Sequence, residues 1–137
     1  MPKNKFSVYT RIFSICLWLG KNGFKEEKIN EQPINAYAYS KFLFDQYIRK
    51  FSKNLKSQVV SMRYFNVYGP REQHKKDMAS TIYHFNNQLK TNNKCKLFKG
   101  TDGYEDGEQR RDFIYVEDCA NVNIWFMENS SKSGIFN

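Results

Sequence analysis

The sequence predicts an α/β fold built on a parallel β-sheet. Runs of strand length that contain β-branched residues, such as "KSQVVSMRYF" and "DFIYV", alternate along the chain with segments of helical character. With 137 residues, of which 40% are hydrophobic, the chain has the size of one domain and enough apolar side chains to build a core. Neither internal repeats nor low-complexity tracts interrupt this pattern.

The first predicted helix begins near Ala36. Asn35 precedes it and can cap it, because an asparagine side chain accepts a hydrogen bond from a free backbone N–H of the first turn. Four apolar residues recur within this segment at the i, i+3, i+4, i+7 spacing of one helical face: Phe44, Tyr47, Ile48 and Phe51.

The next elements follow from short local signals. "KSQVVSMRYF" predicts a strand that stops at "NVYGPRE", where Gly69-Pro70 must form a turn. We expect a second helix from Met78 to Lys90, a short strand at "CKLFKG" and a loop at "TDGYEDGEQRR".

The last third of the chain predicts a strand, a helix and the start of another strand. "DFIYV" is the first strand, and the acidic residues Glu117 and Asp118 then open a helix that runs through Met127, since negative side chains suit the positive end of a helix. "SGIFN" has the character of a strand just beginning. We therefore expect the chain to be a fragment of a larger domain.

Charge and cysteine content limit the partners and the compartment. The net charge of +8 favours anionic partners, namely nucleic acid, an acidic membrane or a phosphorylated small molecule. Cys16, Cys95 and Cys119 are too far apart for a zinc site or a disulfide framework, so we expect no metal and a reducing, cytoplasmic location. The sequence contains no apolar run long enough to cross a bilayer. Its first residues also lack a signal-peptide cleavage site, so we expect neither a signal peptide nor a membrane partner.

Tyr37 and Lys41 form a possible acid–base pair. A spacing of four residues places both on one face of the helix, one turn apart. An ammonium group beside a phenol favours the phenolate, which makes proton exchange with a hydroxyl group feasible at neutral pH. Chance alone predicts about one such pair in a chain of this composition, so the neighbouring sequence has to decide.

The sequence around this pair and several later stretches resemble a known protein family. "YAYSKFLFDQY", "RYFNVYGPRE", "HKKDMAS", "LFKG", "RRDFIYVED" and "SGIFN" together resemble the second half of the extended short-chain dehydrogenase/reductase family of nucleotide-sugar epimerases. The resemblance runs from about Gly20 to Asn137. "RYFNVYGPRE" is shared by many members, whereas "YSKFLFD", "REQHKKDMAS" and "LFKG…RRDF" point to the branch that acts on ADP-linked heptoses.

The resemblance implies a fold and a reaction. Residues 19–70 would be the C-terminal part of a Rossmann-type NAD(P)-binding domain, and residues 71–137 a truncated substrate-binding portion that returns to the Rossmann sheet near 112–129. The implied activity is NADP-dependent epimerisation at C6 of an ADP-heptose, through transient oxidation to an aldehyde and return of the hydride. NAD is the alternative cofactor. This reaction serves lipopolysaccharide inner-core precursor synthesis, and family members form homo-oligomers.

The same resemblance carries functional positions over to this chain. Tyr37 and Lys75 match the two acid–base groups, and Lys41, Val67 and Lys75 match cofactor contacts. A third group of positions matches contacts to the nucleotide sugar: Asn66, Asp77, His84, Phe98, Lys99, Gly100, Thr101 and Arg111. Asp77 departs from the family, which commonly has a small hydroxyl residue there, and its negative charge would repel a diphosphate.

Two family features are missing from the sequence. One is the glycine-rich loop that holds the cofactor's pyrophosphate, so we do not expect this chain alone to bind NADP well. The other is a Ser-Ser-Ala-x-x-Tyr-Gly strand end, where this chain has "IFSICLWLG". Shifted by one base, allowed codons from Ile12 to Leu19 spell Ser-Ser-Ala-Ser-Val-Tyr-Gly. We therefore hypothesise that residues 1–18 are translated out of frame and that a shift near Trp18–Leu19 restores the frame, which the DNA sequence would test.

Two alternative functions stay open at this point. Another member of the same superfamily, such as a UDP-hexose 4-epimerase, shares most of the motifs. A small basic nucleic-acid-binding module would use the positive charge and aromatic residues such as Tyr64, Phe65 and Tyr68. The dispersed basic residues and the strand-then-turn context of "YFNVYG" disfavour the module, so we expect no nucleic-acid partner.

Overall fold

The computed structural model describes residues 6–12, 27–28, 31–33, 35–101 and 103–137. The strands and helices in chain order are β1 (Phe6–Ile12), α1 (Ala36–Phe51), β2 (Gln58–Tyr64), β3 (Asn66–Tyr68), α2 (Thr81–Asn92), β4 (Phe113–Tyr115), α3 (Val116–Glu128) and β5 (Gly134–Phe136). Short 3₁₀ helices at Ser52–Asn54 and Gln73–Met78 follow α1 and precede α2.

The described strands form two parallel sheets. β2 lies in the middle of the first sheet, in the order β1-β2-β5, and pairs in parallel with both neighbours. β3 and β4 form the second sheet, with Val67 opposite Ile114. Because the helices alternate with these parallel strands, the predicted α/β class is confirmed.

One face of β2 forms the hydrophobic core with α3. Strand side chains alternate between the two faces of a sheet, so every second residue of β2 reaches this core. The fully buried members of the core are Val60, Met62, Tyr64, Cys119 and Phe126. Inside it, the Tyr64 hydroxyl donates to the Cys119 carbonyl at 3.1 Å and accepts from Asn123 Nδ2 at 2.7 Å.

The other face of β2 meets α1 through charged groups, which we call the buried ion cluster: Glu31, Asp45, Arg49 and Arg63. Arg63 donates to Asp45 Oδ2 from Nε at 3.1 Å and from Nη2 at 2.9 Å. Its Nη2 also donates to Glu31 Oε1 at 2.5 Å, and Arg49 donates to both oxygens of the same carboxylate. Burial alone would raise the pKa of Glu31, but the hydrogen bonds from Arg49 and Arg63 lower it.

The start of α1 agrees with the prediction, but its buried face does not follow the apolar stripe. Asn35 Oδ1 accepts from the Ala38 N–H at 2.8 Å, as expected of the cap. Of the predicted stripe only Ile48 is buried, whereas Tyr47 is 60% exposed and Phe44 and Phe51 are also exposed. The helix turns Asp45 towards β2 instead, because a buried carboxylate needs the Arg63 guanidinium as its partner.

Two other predictions need correction. α2 begins at Thr81 rather than Met78, because the Ser80 side chain accepts from the Tyr83 N–H at 3.1 Å and caps the helix there. "CKLFKG" forms no strand. The N–H group of Lys96 donates to Gln88 Oε1 at 2.8 Å and that of Gly100 to Asp106 Oδ1 at 2.6 Å, and the segment pairs with no described strand.

No strand or helix was predicted within residues 1–18, yet β1 lies within them and pairs along its length with β2. Residues 13–20, which contain most of the shifted stretch, lie outside the described part of the chain. The reading-frame hypothesis and the proposed domain boundaries therefore stay predictions. The predicted strands at "DFIYV" and "SGIFN" and the helix opened by the acidic pair are confirmed as β4, β5 and α3.

Candidate functional site

Tyr37 and Lys41 are neighbours in the first two turns of α1. The Lys41 Nζ lies 5.1 Å from the centre of the Tyr37 ring, which is the geometry of a cation–π contact. Tyr37 is 54% exposed, and the Asn35 cap fixes where its turn of the helix begins. The predicted adjacency of a phenol and an ammonium group is therefore present, with the phenol accessible to a ligand.

Lys75 lies in the loop between β3 and α2 and contacts a carboxylate that the sequence analysis missed. Its Nζ is 3.5 Å from Glu72 Oε2. Burial alone would raise the pKa of Glu72, but hydrogen bonds from Ser80 and Gly69 and the Lys75 charge lower it. The contact could have been suspected from the sequence, because Glu72 is the single acidic residue within the basic stretch "REQHKK".

Asn66, Val67 and Arg111 are brought together by the small second sheet. Asn66 follows the carboxyl end of β2, and both its backbone N–H and its Nδ2 donate to the Asp112 carbonyl, at 3.2 and 2.9 Å. Val67 is the central residue of β3. Arg111 precedes β4 and is exposed, with its Nη1 donating to the Arg110 carbonyl at 2.8 Å. In open α/β sheets, ligands bind at the carboxyl ends of the strands, where Asn66 lies.

A groove of about 300 Å³, which we call the α2 groove, lies between α2 and the segment that follows it. Its lining residues are Thr81, His84, Phe85, Gln88, Lys96, Leu97 and Phe98. The rings of Phe85 and Phe98 lie 6.2 Å apart and form an aromatic wall. The structure thus brings His84 and Phe98, which are far apart in the sequence, to one surface.

Residues 98–101 are held in a compact turn beside this groove. A Cβ atom on Gly100 would lie 2.3 Å from the Tyr104 carbonyl oxygen, so only glycine allows this close approach. The Gly100 N–H donates to Asp106 Oδ1 at 2.6 Å, and the Lys99 carbonyl accepts from Gln109 Nε2 at 2.5 Å. Thr101 is exposed and its carbonyl accepts from the Tyr104 N–H at 3.0 Å.

The remaining site predictions are placed as follows. Asp77 is exposed and lies two residues after Lys75, beyond the non-helical backbone at Lys76. In the described part of the chain, no cluster of three or more histidine, cysteine or acidic side chains is arranged to hold a metal ion. None of the described helices has both the length and the apolar character that a membrane crossing needs.

Comparison with known proteins assigns the family. The model of the NAD dependent epimerase/dehydratase family matches residues 11–137. The chain belongs to the NAD dependent epimerase/dehydratase family. The family predicted from the sequence motifs is thereby confirmed.

Relatives within the epimerase/dehydratase family include enzymes for two kinds of nucleotide sugar. An ADP-L-glycero-D-manno-heptose-6-epimerase from Alkalilimnicola ehrlichii is 50% identical over 124 residues, which are 90% of this chain and 39% of that protein. The crystal structure of the Helicobacter pylori ADP-L-glycero-D-manno-heptose-6-epimerase is 32% identical with a TM-score of 0.77, covering 98% of this chain and 40% of that one.

A UDP-N-acetylglucosamine 4-epimerase from Methanobrevibacter ruminantium, solved in complex with UDP-N-acetylmuramic acid, is also 32% identical. Its TM-score is 0.69, and the match covers 92% of this chain and 39% of that one. The chain therefore spans about two fifths of the length of the relatives it matches.

Proposed function

We propose that this chain is part of a nucleotide-sugar epimerase that inverts C6 of ADP-D-glycero-D-manno-heptose to give the L-glycero epimer. The observation that carries the proposal is the 50% identity, over 90% of the chain, to an ADP-L-glycero-D-manno-heptose-6-epimerase. The reaction would supply lipopolysaccharide inner-core synthesis in the cytoplasm, in a homo-oligomer. The excess of positive charge suits an anionic diphosphate ligand without invoking nucleic acid.

In this proposal Tyr37 exchanges a proton with the reacting hydroxyl group of the sugar. Its phenol is exposed at the start of α1, and the Lys41 ammonium group lies 5.1 Å from the centre of its ring. A positioned group of this kind contributes about 10²- to 10⁴-fold to a proton-transfer step. Because C6 of a heptose also carries C7, the oxidised sugar is a ketone, which corrects the aldehyde expected from the sequence.

Three residues of this chain could contact a nicotinamide cofactor. The Lys41 ammonium group is a hydrogen-bond donor beside the phenol, suited to the hydroxyls of a ribose, and Val67 offers backbone groups next to the carboxyl end of β2. Lys75 would be the third contact. When bound, the cofactor supplies the hydride acceptor and donor, and we propose NADP, with NAD as the alternative.

Lys75 is proposed as the second acid–base group. Inversion needs the sugar oxygen to be protonated in two orientations, and one tyrosine reaches only one of them. Lys75 carries three N–H donors on a flexible stem, is partly exposed and lies in the loop next to α2. It would therefore hold or return the proton when the sugar presents its other face.

The remaining positions would bind the nucleotide sugar. Phe98 and His84 line the α2 groove, whose aromatic wall suits a stacked base or sugar ring. Lys99, Gly100 and Thr101 form the turn beside it. Arg111 is exposed and would pair with the diphosphate, because a guanidinium group presents two parallel donors to such an anion.

Asn66 and Asp77 are the last two proposed substrate contacts. Asn66 would contact the substrate at the strand end. Asp77 is retained as a contact from the resemblance, although its charge opposes that of a diphosphate.

A UDP-hexose 4-epimerase is the second candidate. The similarity to a UDP-N-acetylglucosamine 4-epimerase, with 32% identity and a TM-score of 0.69, supports it. The H. pylori heptose enzyme is also 32% identical to this chain. Both candidates use the same tyrosine chemistry, so the choice between them rests on the nucleotide and the sugar.

The test is a completed enzyme in which this chain replaces the matching 124-residue segment of the A. ehrlichii relative. We expect it to interconvert the two C6 epimers of ADP-heptose, measured by NMR, and to be thermally stabilised by ADP-sugars but not UDP-sugars. The intact relative serves as the positive control. Turnover of a UDP-hexose with no turnover of ADP-heptose would replace the proposal by the alternative.

A further inference from the structure

Glu72 is a buried carboxylate in an otherwise exposed, basic loop. It is 3% exposed, and it alone is buried among residues 71–78. A carboxylate loses its hydration on burial, which is costly unless protein groups replace the water. The surroundings of Glu72 supply that replacement.

Donors from both ends of the loop converge on this carboxylate. Oε1 accepts from the Gly69 N–H at 3.1 Å and from the Ser80 hydroxyl at 2.8 Å. Oε2 accepts from the Ser80 N–H at 2.7 Å and lies 3.5 Å from Lys75 Nζ. One side chain therefore connects the end of β3, the proposed second acid–base group and the start of α2.

The backbone around Lys75 needs such a connection. Arg71 and Lys76 both have positive φ angles, 67° and 48°, although neither is glycine. Backbone of this kind persists only where the surrounding structure holds it. The bonds of Glu72 to residues 69 and 80 span both of these positions and close the loop around Lys75.

Hydrogen bonds through Ser80 also connect the Glu72 carboxylate to the α2 groove. The Ser80 hydroxyl donates to Glu72 while accepting from the Tyr83 N–H at 3.1 Å, and the Ser80 carbonyl accepts from the His84 N–H at 3.1 Å. A displacement of Ser80 would therefore move the first turn of α2 and the His84 side chain that lines the groove.

We propose that Glu72 is a positioning residue that holds the Lys75 ammonium group and the start of α2 in the arrangement the reaction requires. The inference rests on the function proposed above for Lys75. Glu72 itself contacts neither sugar nor cofactor in this proposal; its negative charge orients Lys75, and its two oxygens fix the loop.

The first experiment uses the 137-residue chain and needs no activity. Lysine acetylation by limiting acetic anhydride is measured by mass spectrometry as the ratio of the Lys75 rate to the Lys76 rate, with Lys76 as the reference in the same loop. Glu72→Gln is expected to raise this ratio about threefold, the size of effect typical of a partly exposed ion pair. Glu128→Gln, at an exposed carboxylate, is the matched control. An unchanged ratio in Glu72→Gln would overturn the Lys75 contact.

The second experiment uses the completed enzyme and separates positioning from structure. Glu72→Gln removes the charge that faces Lys75 and keeps one of the two oxygens that accept loop bonds, so kcat is expected to fall on the order of 10- to 100-fold, with a smaller change in KM than in Glu72→Ala. Glu72→Ala removes both, and KM is expected to rise as well. A Glu72→Gln enzyme with the wild-type kcat would reduce Glu72 to a structural role and refute the proposal.

The two experiments also distinguish a failure of the Glu72 proposal from a failure of the proposed epimerase function. If the completed wild-type enzyme has no epimerase activity, the proposed function fails. The acetylation ratio then still decides whether Glu72 holds Lys75.

Discussion

Replacing Asp45 with asparagine removes one of the two negative charges from the buried ion cluster. Asp45 is 1% exposed and accepts two hydrogen bonds from Arg63, at 3.1 and 2.9 Å, and one from the Ser61 hydroxyl at 3.3 Å. The cluster then holds two guanidinium groups and a single carboxylate, Glu31. Removing one partner of a buried ion pair costs about 3–5 kcal/mol of unfolding free energy, and since Glu31 still pairs with Arg63 we expect about 3 kcal/mol.

The assay is urea unfolding followed by far-UV circular dichroism. With a slope of about 2 kcal/mol per molar urea, a loss of about 3 kcal/mol lowers the midpoint by about 1.5 M. The exposed Asp112→Asn is the control and is expected to change stability by less than about 0.5 kcal/mol.

A second variant tests whether charge balance is the cause. Adding Arg63→Met to Asp45→Asn removes one positive charge and leaves Glu31 paired with Arg49. We expect the double variant to be more stable than Asp45→Asn alone, with a coupling energy of about 1.5 kcal/mol or more. Strictly additive effects, or a single-variant loss below about 1 kcal/mol, would refute the reasoning.

Three further predictions concern local features of the fold. Asn35→Ala should lower the unfolding free energy by about 1 kcal/mol through loss of the α1 cap, while Asn35→Ser, which can still cap, should lower it less; urea midpoints of the two variants compare them. A Cβ on Gly69 would lie 2.3 Å from Val116 Cγ1, so Gly69→Ala should cost about 1–3 kcal/mol, and adding Val116→Ala should recover part of that loss; a loss unchanged by the second substitution would contradict the overlap. Burial raises the pKa of Tyr64 from 10.0 to about 12, so its contribution to stability is present below pH 10 and lost as the pH rises towards 12; the urea midpoint should fall less steeply over that range in Tyr64→Phe than in the wild type.

The elements that the sequence predicted well depend on local signals. Asn35 caps α1 through a residue three positions away, and the acidic pair Glu117 and Asp118 lies in the first turn of α3. β2 was recognisable because its run of strand length contains β-branched residues and is followed by the Gly69-Pro70 turn signal. The adjacency of Tyr37 and Lys41 follows from helix geometry alone, whereas their roles, like those of the other site residues, rest on the family resemblance.

The features that sequence reasoning missed depend on contacts between distant residues. Arg63 is 18 residues from Asp45 and 32 from Glu31, so no local pattern marks these three as partners. The apolar stripe of α1 was a poor guide to burial for the same reason, because the ion cluster determines which face of the helix meets β2. Glu72 was missed because its donors come from both ends of a loop whose path the sequence does not specify.

The reading of "CKLFKG" as a strand failed on hydrogen bonding. A strand needs a neighbouring strand to pair with, whereas Lys96 and Gly100 donate to the side chains of Gln88 and Asp106 and the Phe98 carbonyl accepts from the Gly107 N–H of the following loop. Strand-like composition predicted the wrong element because a strand forms only where the tertiary structure places another strand beside it. The local sequence does not specify that neighbour.

Two single substitutions on α1 test most directly whether Tyr37 exchanges the proton in a nucleotide-sugar epimerisation. In the completed enzyme, Tyr37→Phe is compared with Tyr39→Phe, whose phenol is 51% exposed on the same helix. We expect kcat for ADP-heptose epimerisation to fall about 10²- to 10⁴-fold in Tyr37→Phe and to stay at the wild-type level in Tyr39→Phe. Equal kcat values for Tyr37→Phe and the wild type would contradict the account.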